Sequence, residues 1–236
     1  MRNTKAIAFR EFKSSLTSPM AYIVTAIFLI LTGAFFSLSS FTYYETSIKG
    51  FLEPGNILLL LLASVLTMRL LAEERRLGTM ELLLSAPVRD SEVILGKFLG
   101  SLGILVIMLA LTLYYPVLLI CVGDPDIGPI ATGYLGLFLL SCASLAVGIF
   151  ASSVTSNQIV AAVIAGGILF TLWFIGMAAN VLPQVMGEII DYLSLSYYFP
   201  DFMIGVIDTR GIIYYLSITA LFLFLAVRYL ENSRWN

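Results

Sequence analysis

Residues 127–187 contain no Asp, Glu, Lys or Arg. Such a run is too apolar for a soluble connection and far too long for one crossing of a bilayer, which needs about 20 residues. It must therefore fold back once. Its only polar cluster, Ser152, Ser153, Thr155, Ser156, Asn157 and Gln158, marks the turn. Residues 14–44, 54–68, 98–123 and 211–227 are equally free of charge. Over 236 residues the chain is 59% hydrophobic and 12% charged, with a mean hydropathy of +0.97. A soluble domain carries about 25% charged residues, so the pattern specifies an all-α integral membrane protein.

Six spans follow, at about 19–41, 56–72, 96–122, 130–151, 159–182 and 211–229. The first is too long for a signal peptide and is read as an uncleaved helix. Pro116 is expected to bend the third. An even number of spans puts both termini on one side, and basic residues indicate which. With the N-terminus cytoplasmic, 11 of the 13 Lys and Arg residues lie inside, and only Lys49 and Arg210 lie outside. The expected topology is N-in, C-in.

Composition also excludes several chemistries. There is no histidine, which removes Ser-His and Cys-His dyads and His-ligated metals. Cys121 and Cys142 sit in apolar runs, so neither a disulfide framework nor a metal site is expected. A net charge of −2 argues against nucleic acid as a partner. The apolar cores of the spans carry no ionisable group of the kind that ion-coupled transporters and voltage sensors use. No phosphate-binding G-x-x-x-x-G-K-[ST] loop is present. Energy for any uphill transport must enter from another chain.

Three segments lie outside the spans. Residues 1–18 form an amphipathic elbow helix, with Phe9, Phe12 and Leu16 on one stripe flanked by Lys5 and Lys13, expected to lie on the cytoplasmic membrane surface. Residues 183–210 mix apolar, acidic and aromatic residues, and short helices dipping into the outer leaflet are expected there. Between spans 2 and 3, Gly78 suits a left-handed helix end and Thr79 a new N-cap, with Glu81 near the positive helix terminus. Pro87 closes a short helix over 78–87 that presents Met80, Leu82, Leu83 and Leu84. Such a helix suits a socket on another protein, or lies flat on lipid.

The run Glu73-Glu74-Arg75-x-x-Gly78-Thr79-x-Glu81-Leu82-Leu83-Leu84-x-x-Pro87 after a second span resembles the permease subunits of ABC-2-type transporters. The likeness covers nearly the whole chain and is nearest to the short gliding-motility-associated branch. Gly148-Ile149-Phe150-Ala151-Ser152-Ser153, Asn157-Gln158-Ile159-Val160-Ala161 and Gly205-Val206-Ile207-Asp208-Thr209-Arg210 extend it.

The resemblance implies a non-catalytic subunit of the bacterial inner membrane that binds no cofactor itself. ATP and Mg would sit on a dimeric cytoplasmic ATPase. It implies that the 78–87 helix is a coupling helix docking on that ATPase, with Glu73, Glu74 and Arg75 at its approach and Phe9, Phe12 and Lys13 of the elbow helix flanking the contact. A second permease chain, identical or related, completes the complex. In the family, spans 1, 2 and 5 line the route or the dimer seam, which here offers Phe28, Phe35, Phe36, Ser64, Thr67, Trp173 and Asn180. An exporter is the first reading; a membrane anchor for a motility or envelope machine is the alternative.

Overall fold

The computed structural model of the protein describes residues 2–43, 47–78, 88–179 and 183–234. Among these the regular structure is helical throughout. In chain order the helices are α1 (Arg2–Thr17), α2 (Pro19–Tyr43), α3 (Lys49–Thr67), α4 (Ala72–Arg76), α5 (Asp90–Leu111) and α6 (Tyr114–Val122). Then follow α7 (Ile127–Val154), α8 (Gln158–Ala179), α9 (Gln184–Leu193), α10 (Phe199–Met203) and α11 (Thr209–Arg234). Six stretches among the described residues are long and apolar enough to cross a membrane: Pro19–Ser39, Lys49–Arg76, Asp90–Val122, Ile127–Val154, Gln158–Ala178 and Thr209–Asn232. The long uncharged run does fold back once, at Thr155–Asn157, where the Asn157 side chain accepts the Ile159 N–H at 2.9 Å and caps α8.

Local chemistry moves three boundaries from their expected places. The second span starts at Lys49 because Ile48, Phe51 and Leu52 are buried and draw its first turn into the core, with Pro54 accommodated inside the helix. The third starts at Asp90, where the Arg89 N–H bonds the Glu92 carboxylate at 3.3 Å. Its break falls at Thr112–Leu113 rather than at Pro116 itself. Proline has no N–H to give the carbonyl four residues back. That carbonyl belongs to Thr112, and it accepts the Tyr134 hydroxyl at 2.8 Å instead.

Helix α7 is the axis of the bundle. It is apolar all round, as a helix surrounded by others must be, and packs against α3, α5, α8, α10 and α11. Two of its buried hydroxyls are satisfied within the helix, Ser141 on the Leu137 carbonyl at 2.6 Å and Ser144 on that of Leu140 at 2.7 Å. Close approach needs its glycines. A Cβ at Gly133 would fall 2.4 Å from Leu52, and one at Gly148 would fall 1.9 Å from the Thr67 hydroxyl. Small residues at helix contacts are how apolar helices associate where burial from water contributes nothing.

The elbow helix packs along one of the spans. Contacts advance in the same direction on α1 and α5: Asn3 bonds Glu92 at 3.2 Å, and Ile7, Glu11 and Phe12 lie against Gly96, Gly100 and Gly103. Helix α1 therefore runs along the first turns of α5. The face it turns to α5 carries the half-buried Ile7, Ala8, Glu11 and Phe12, whereas Phe9 is 69% exposed. The cause is the glycine groove at i, i+4 and i+7 of α5, which admits a second backbone.

At the opposite end of the bundle, residues 183–210 turn back inward. Leu195 donates its N–H to the Leu172 carbonyl at 2.9 Å, and Ser196 donates its hydroxyl to that of Trp173 at 2.8 Å. The Tyr215 hydroxyl reaches the Leu195 carbonyl at 2.8 Å. Leu172 and Tyr215 sit about 9–10 Å along their helices from the ends at Ala179 and Thr209, taking 1.5 Å per residue. The loop enters the bundle by that much, and Gly176 leaves the space that Ser194 occupies. Burial raises the Tyr198 pKa above the ordinary phenol range, with nearby Tyr197 and Tyr192 adding to the effect.

The α1–α5 groove yields a direct test. A Cβ at Gly100 would fall 2.9 Å from the Ala8 carbonyl oxygen, whereas Gly167 has nothing within 4 Å. In thermal unfolding of the detergent-solubilised protein, Gly100→Ala is expected to destabilise by about 1–3 kcal/mol as an overpacked contact. Gly167→Ala is expected to be neutral or to stabilise by about 0.5–1 kcal/mol. Equal effects would show that α1 does not pack closely on α5.

Candidate functional site

The residues singled out at the end of the second span lie on a short arm. Helix α3 ends at Thr67, the chain turns through Met68–Leu71, and the arm α4 follows with the sequence Ala-Glu-Glu-Arg-Arg. Glu73 and Glu74 stand in its first turn and Arg75 and Arg76 in its last, the order that complements a helix dipole. The arm ends as its sequence predicts. Leu77 donates to the Glu73 carbonyl at 2.9 Å, and Gly78 takes φ +69°, the left-handed conformation that favours glycine.

The arm's start has no local cap, since Leu71 offers no side-chain acceptor. Its first amides are satisfied from another span. The Leu71 and Ala72 N–H groups both donate to Ser152 Oγ at 3.0 Å, and that hydroxyl donates to the Met68 carbonyl at 3.1 Å. Ser152 is fully buried near the end of α7. Nothing in its sequence position separates it from the neighbouring turn residues. The Gly148-x-x-x-Ser152 spacing is the available signal, because it puts a glycine gap and a hydroxyl on one face of the helix.

Charged contacts fasten the arm on its other sides. Lys97 of α5 is 3% exposed, and its ammonium lies 2.8 Å from the Glu74 carboxylate and 3.4 Å from that of Glu11 on α1. An ammonium withdrawn from water needs such compensation. The Arg75 guanidinium lies over the Tyr229 ring of α11 at 5.5 Å, and the Tyr229 hydroxyl donates to the Val154 carbonyl at 3.3 Å. Arg69 donates to Ser18 Oγ at 2.6 Å, tying the turn to the α1–α2 junction. A cavity of about 420 Å³ opens between α1 and the arm, lined by Glu11, Ser14, Arg69, Glu73, Glu74 and Lys97 among others. Among the described residues, no three His, Cys, Asp or Glu side chains gather as a metal site requires.

The other expected site residues are dispersed. Thr79, Glu81, Leu82, Leu83 and Pro87 lie outside the described residues, as does Asn180. Phe12 packs against Gly103, whereas Phe9 and Lys13 are exposed. Of the pathway candidates, Phe28, Phe36, Ser64, Thr67 and Trp173 are buried within the chain. Ser64 and Thr67 spend their hydroxyls on the carbonyls four residues back, at 3.0 Å and 2.7 Å. Phe36 packs on Tyr115 with ring centroids 4.8 Å apart, and Trp173 on Phe199 at 6.3 Å. Phe35 is exposed, at 49%. These side chains do not converge on one surface of the chain.

Removing the ammonium tests the charged joint. Lys97→Met leaves Glu11 and Glu74 facing each other at 21% and 28% exposure. Breaking a fully buried pair costs about 3–5 kcal/mol, and residual hydration reduces this to about 1–3 kcal/mol. Glu11→Gln in the Lys97→Met background is expected to recover part of that loss in thermal unfolding. Additive effects of the two substitutions would overturn the shared ion pair.

Comparison with known proteins gives the family of the chain as a whole. Residues 5–226 match the family model described as "ABC-2 family transporter protein". The chain is 29% identical over 205 residues to the "Probable multidrug ABC transporter permease YbhS" of Escherichia coli K12, and to the protein of that name from Escherichia coli O157:H7. Each alignment covers 79% of this chain and 52% of the relative, so the chain spans about half the length of the curated relatives it matches. The apolar six-helix bundle and a family match over almost its whole length place this chain in the ABC-2 transporter family, as a multi-pass membrane permease subunit.

Proposed function

We propose that the chain is the membrane-embedded subunit of an ATP-driven exporter, and that a separate cytoplasmic ATPase acts on it through residues 73–87. The observation that carries this reading is the fastening of the arm. Helix α4 is bonded to α5 and through Lys97 to α1, to α7 through Ser152, and to α11 through Arg75 and Tyr229. A push on the segment after Gly78 therefore reaches four elements of the bundle at once. ATP shifts the permease only if the ATPase binds one arrangement of it more tightly than another, and a rigidly held arm makes that preference global.

The basic end of the bundle faces the cytoplasm of a bacterial inner membrane in this reading, in keeping with the 11 of 13 basic residues on that side. ATP and Mg bind the partner ATPase dimer, and a second permease chain, identical or related, completes the transporter. Its cargo is apolar. Spans without ionisable cores offer little to a charged solute, and the relatives carry a multidrug permease description.

Co-purification from membranes tests the proposal. The native chain is expected to bring down an ATPase, and the isolated chain to hydrolyse no ATP. Charge reversal at Glu73 and Glu74, or replacement of Leu82, Leu83 and Leu84 by Ser, is expected to lower the co-purified ATPase at least tenfold while membrane insertion is retained. Hydrolysis by the isolated chain would falsify the subunit assignment.

A further inference from the structure

We propose that Ser152 is the positioning residue that makes the arm and the fourth span one mechanical body, so that movement of α4 is delivered to α7. The inference deepens the coupling reading above and rests on it. Its observations are independent of any ATPase. The second span is broken at Met68–Leu71, which frees backbone groups on both sides of the break. One buried hydroxyl on a different helix takes up three of them: the N–H groups of Leu71 and Ala72 and the carbonyl of Met68. Helix N-termini are ordinarily capped from the preceding residue. Here the cap comes from 80 residues further along the chain.

The approach of α7 needed for this contact has its own device. Gly148, one turn before Ser152, faces Thr67 so closely that a Cβ would lie 1.9 Å from the Thr67 hydroxyl. Glycine lets the helices touch, and serine one turn on bonds the joint. The arm cannot rotate or translate against α7 without breaking these hydrogen bonds, and Leu71, Ala72 and Ser152 are buried. Leaving buried backbone groups unpaired is costly, so α7 follows the arm. Because α7 is in turn packed against α3, α5, α8, α10 and α11, its displacement repositions the bundle.

Two measurements on the complete complex, purified with its ATPase, test this. In hydrogen exchange, Ser152→Ala is expected to speed exchange of the Leu71 and Ala72 amides at least tenfold, with α5 unchanged. Ser152→Cys, a weaker acceptor of similar size, is expected to fall between. In the second, Ile127→Cys at the far end of α7 is labelled with a maleimide in a Cys121→Ser, Cys142→Ala background. ATP with orthovanadate is expected to change the labelling rate severalfold when Ser152 is present. Ser152→Ala is expected to abolish that change while ATP hydrolysis stays within twofold.

A labelling change that survives Ser152→Ala overturns the proposal, as does unchanged amide exchange. If the parent with Ser152 intact shows no response to ATP, the coupling reading itself fails and the inference falls with it. The exchange result then still reports whether the trans cap exists, which keeps the two failures apart.

Discussion

The arrangement of the basic end depends on one charge that has nowhere else to go. Lys97 is the one basic residue of α5, a helix that is uncharged from Phe98 to Leu111, and its ammonium is almost fully buried. An unpaired ammonium there would be prohibitively unstable. It is held instead by Glu74 from the arm and Glu11 from α1. Compensation forces three segments that are remote in sequence to meet at one point. Neither carboxylate could settle there without the other elements packing correctly, so the ion triad selects a particular packing of the two helices against α5 more than it adds stability.

Glycine makes that packing possible. The α5 groove at Gly96, Gly100 and Gly103 brings α1 near enough for Glu11 to reach Lys97, and Gly148 brings α7 near enough for Ser152 to cap the arm. In both places a close backbone contact is followed, within one or two turns, by a polar bond across the same interface. Apolar attraction is weak between helices that have lipid as the alternative neighbour. The polar bonds then fix register, since buried donors and acceptors tolerate little sliding.

Much of the architecture was legible in the sequence because hydropathy and length act locally. Six spans, the fold-back at Thr155–Asn157 and the left-handed Gly78 each follow from a few adjacent residues. The elbow helix was legible as a helix, but the face it packs on α5 was not. Phe9 of its apolar stripe is exposed, whereas Phe12 of the same stripe packs on α5 together with Glu11. A hydrophobicity pattern cannot anticipate this, because the decision was made by glycines on a different helix. The Thr112 break was displaced from Pro116 for a similar reason: proline acts on the carbonyl four residues back, and Tyr134 supplies that carbonyl's new partner.

The candidate site divides along the same line. Its acidic pair, its arm and its glycine end are sequence properties, set by composition and by the conformations that single residues allow. What holds the arm is tertiary: Lys97, Ser152 and Tyr229 reach it from three other helices, and by sequence alone two of them look like ordinary ends of apolar runs and the third like part of a turn. By itself the sequence determined that the chain crosses the membrane six times and where its few charges gather, since burial cost is paid residue by residue. Only the tertiary structure decided which buried donor meets which buried acceptor, because that depends on how closely two backbones can approach.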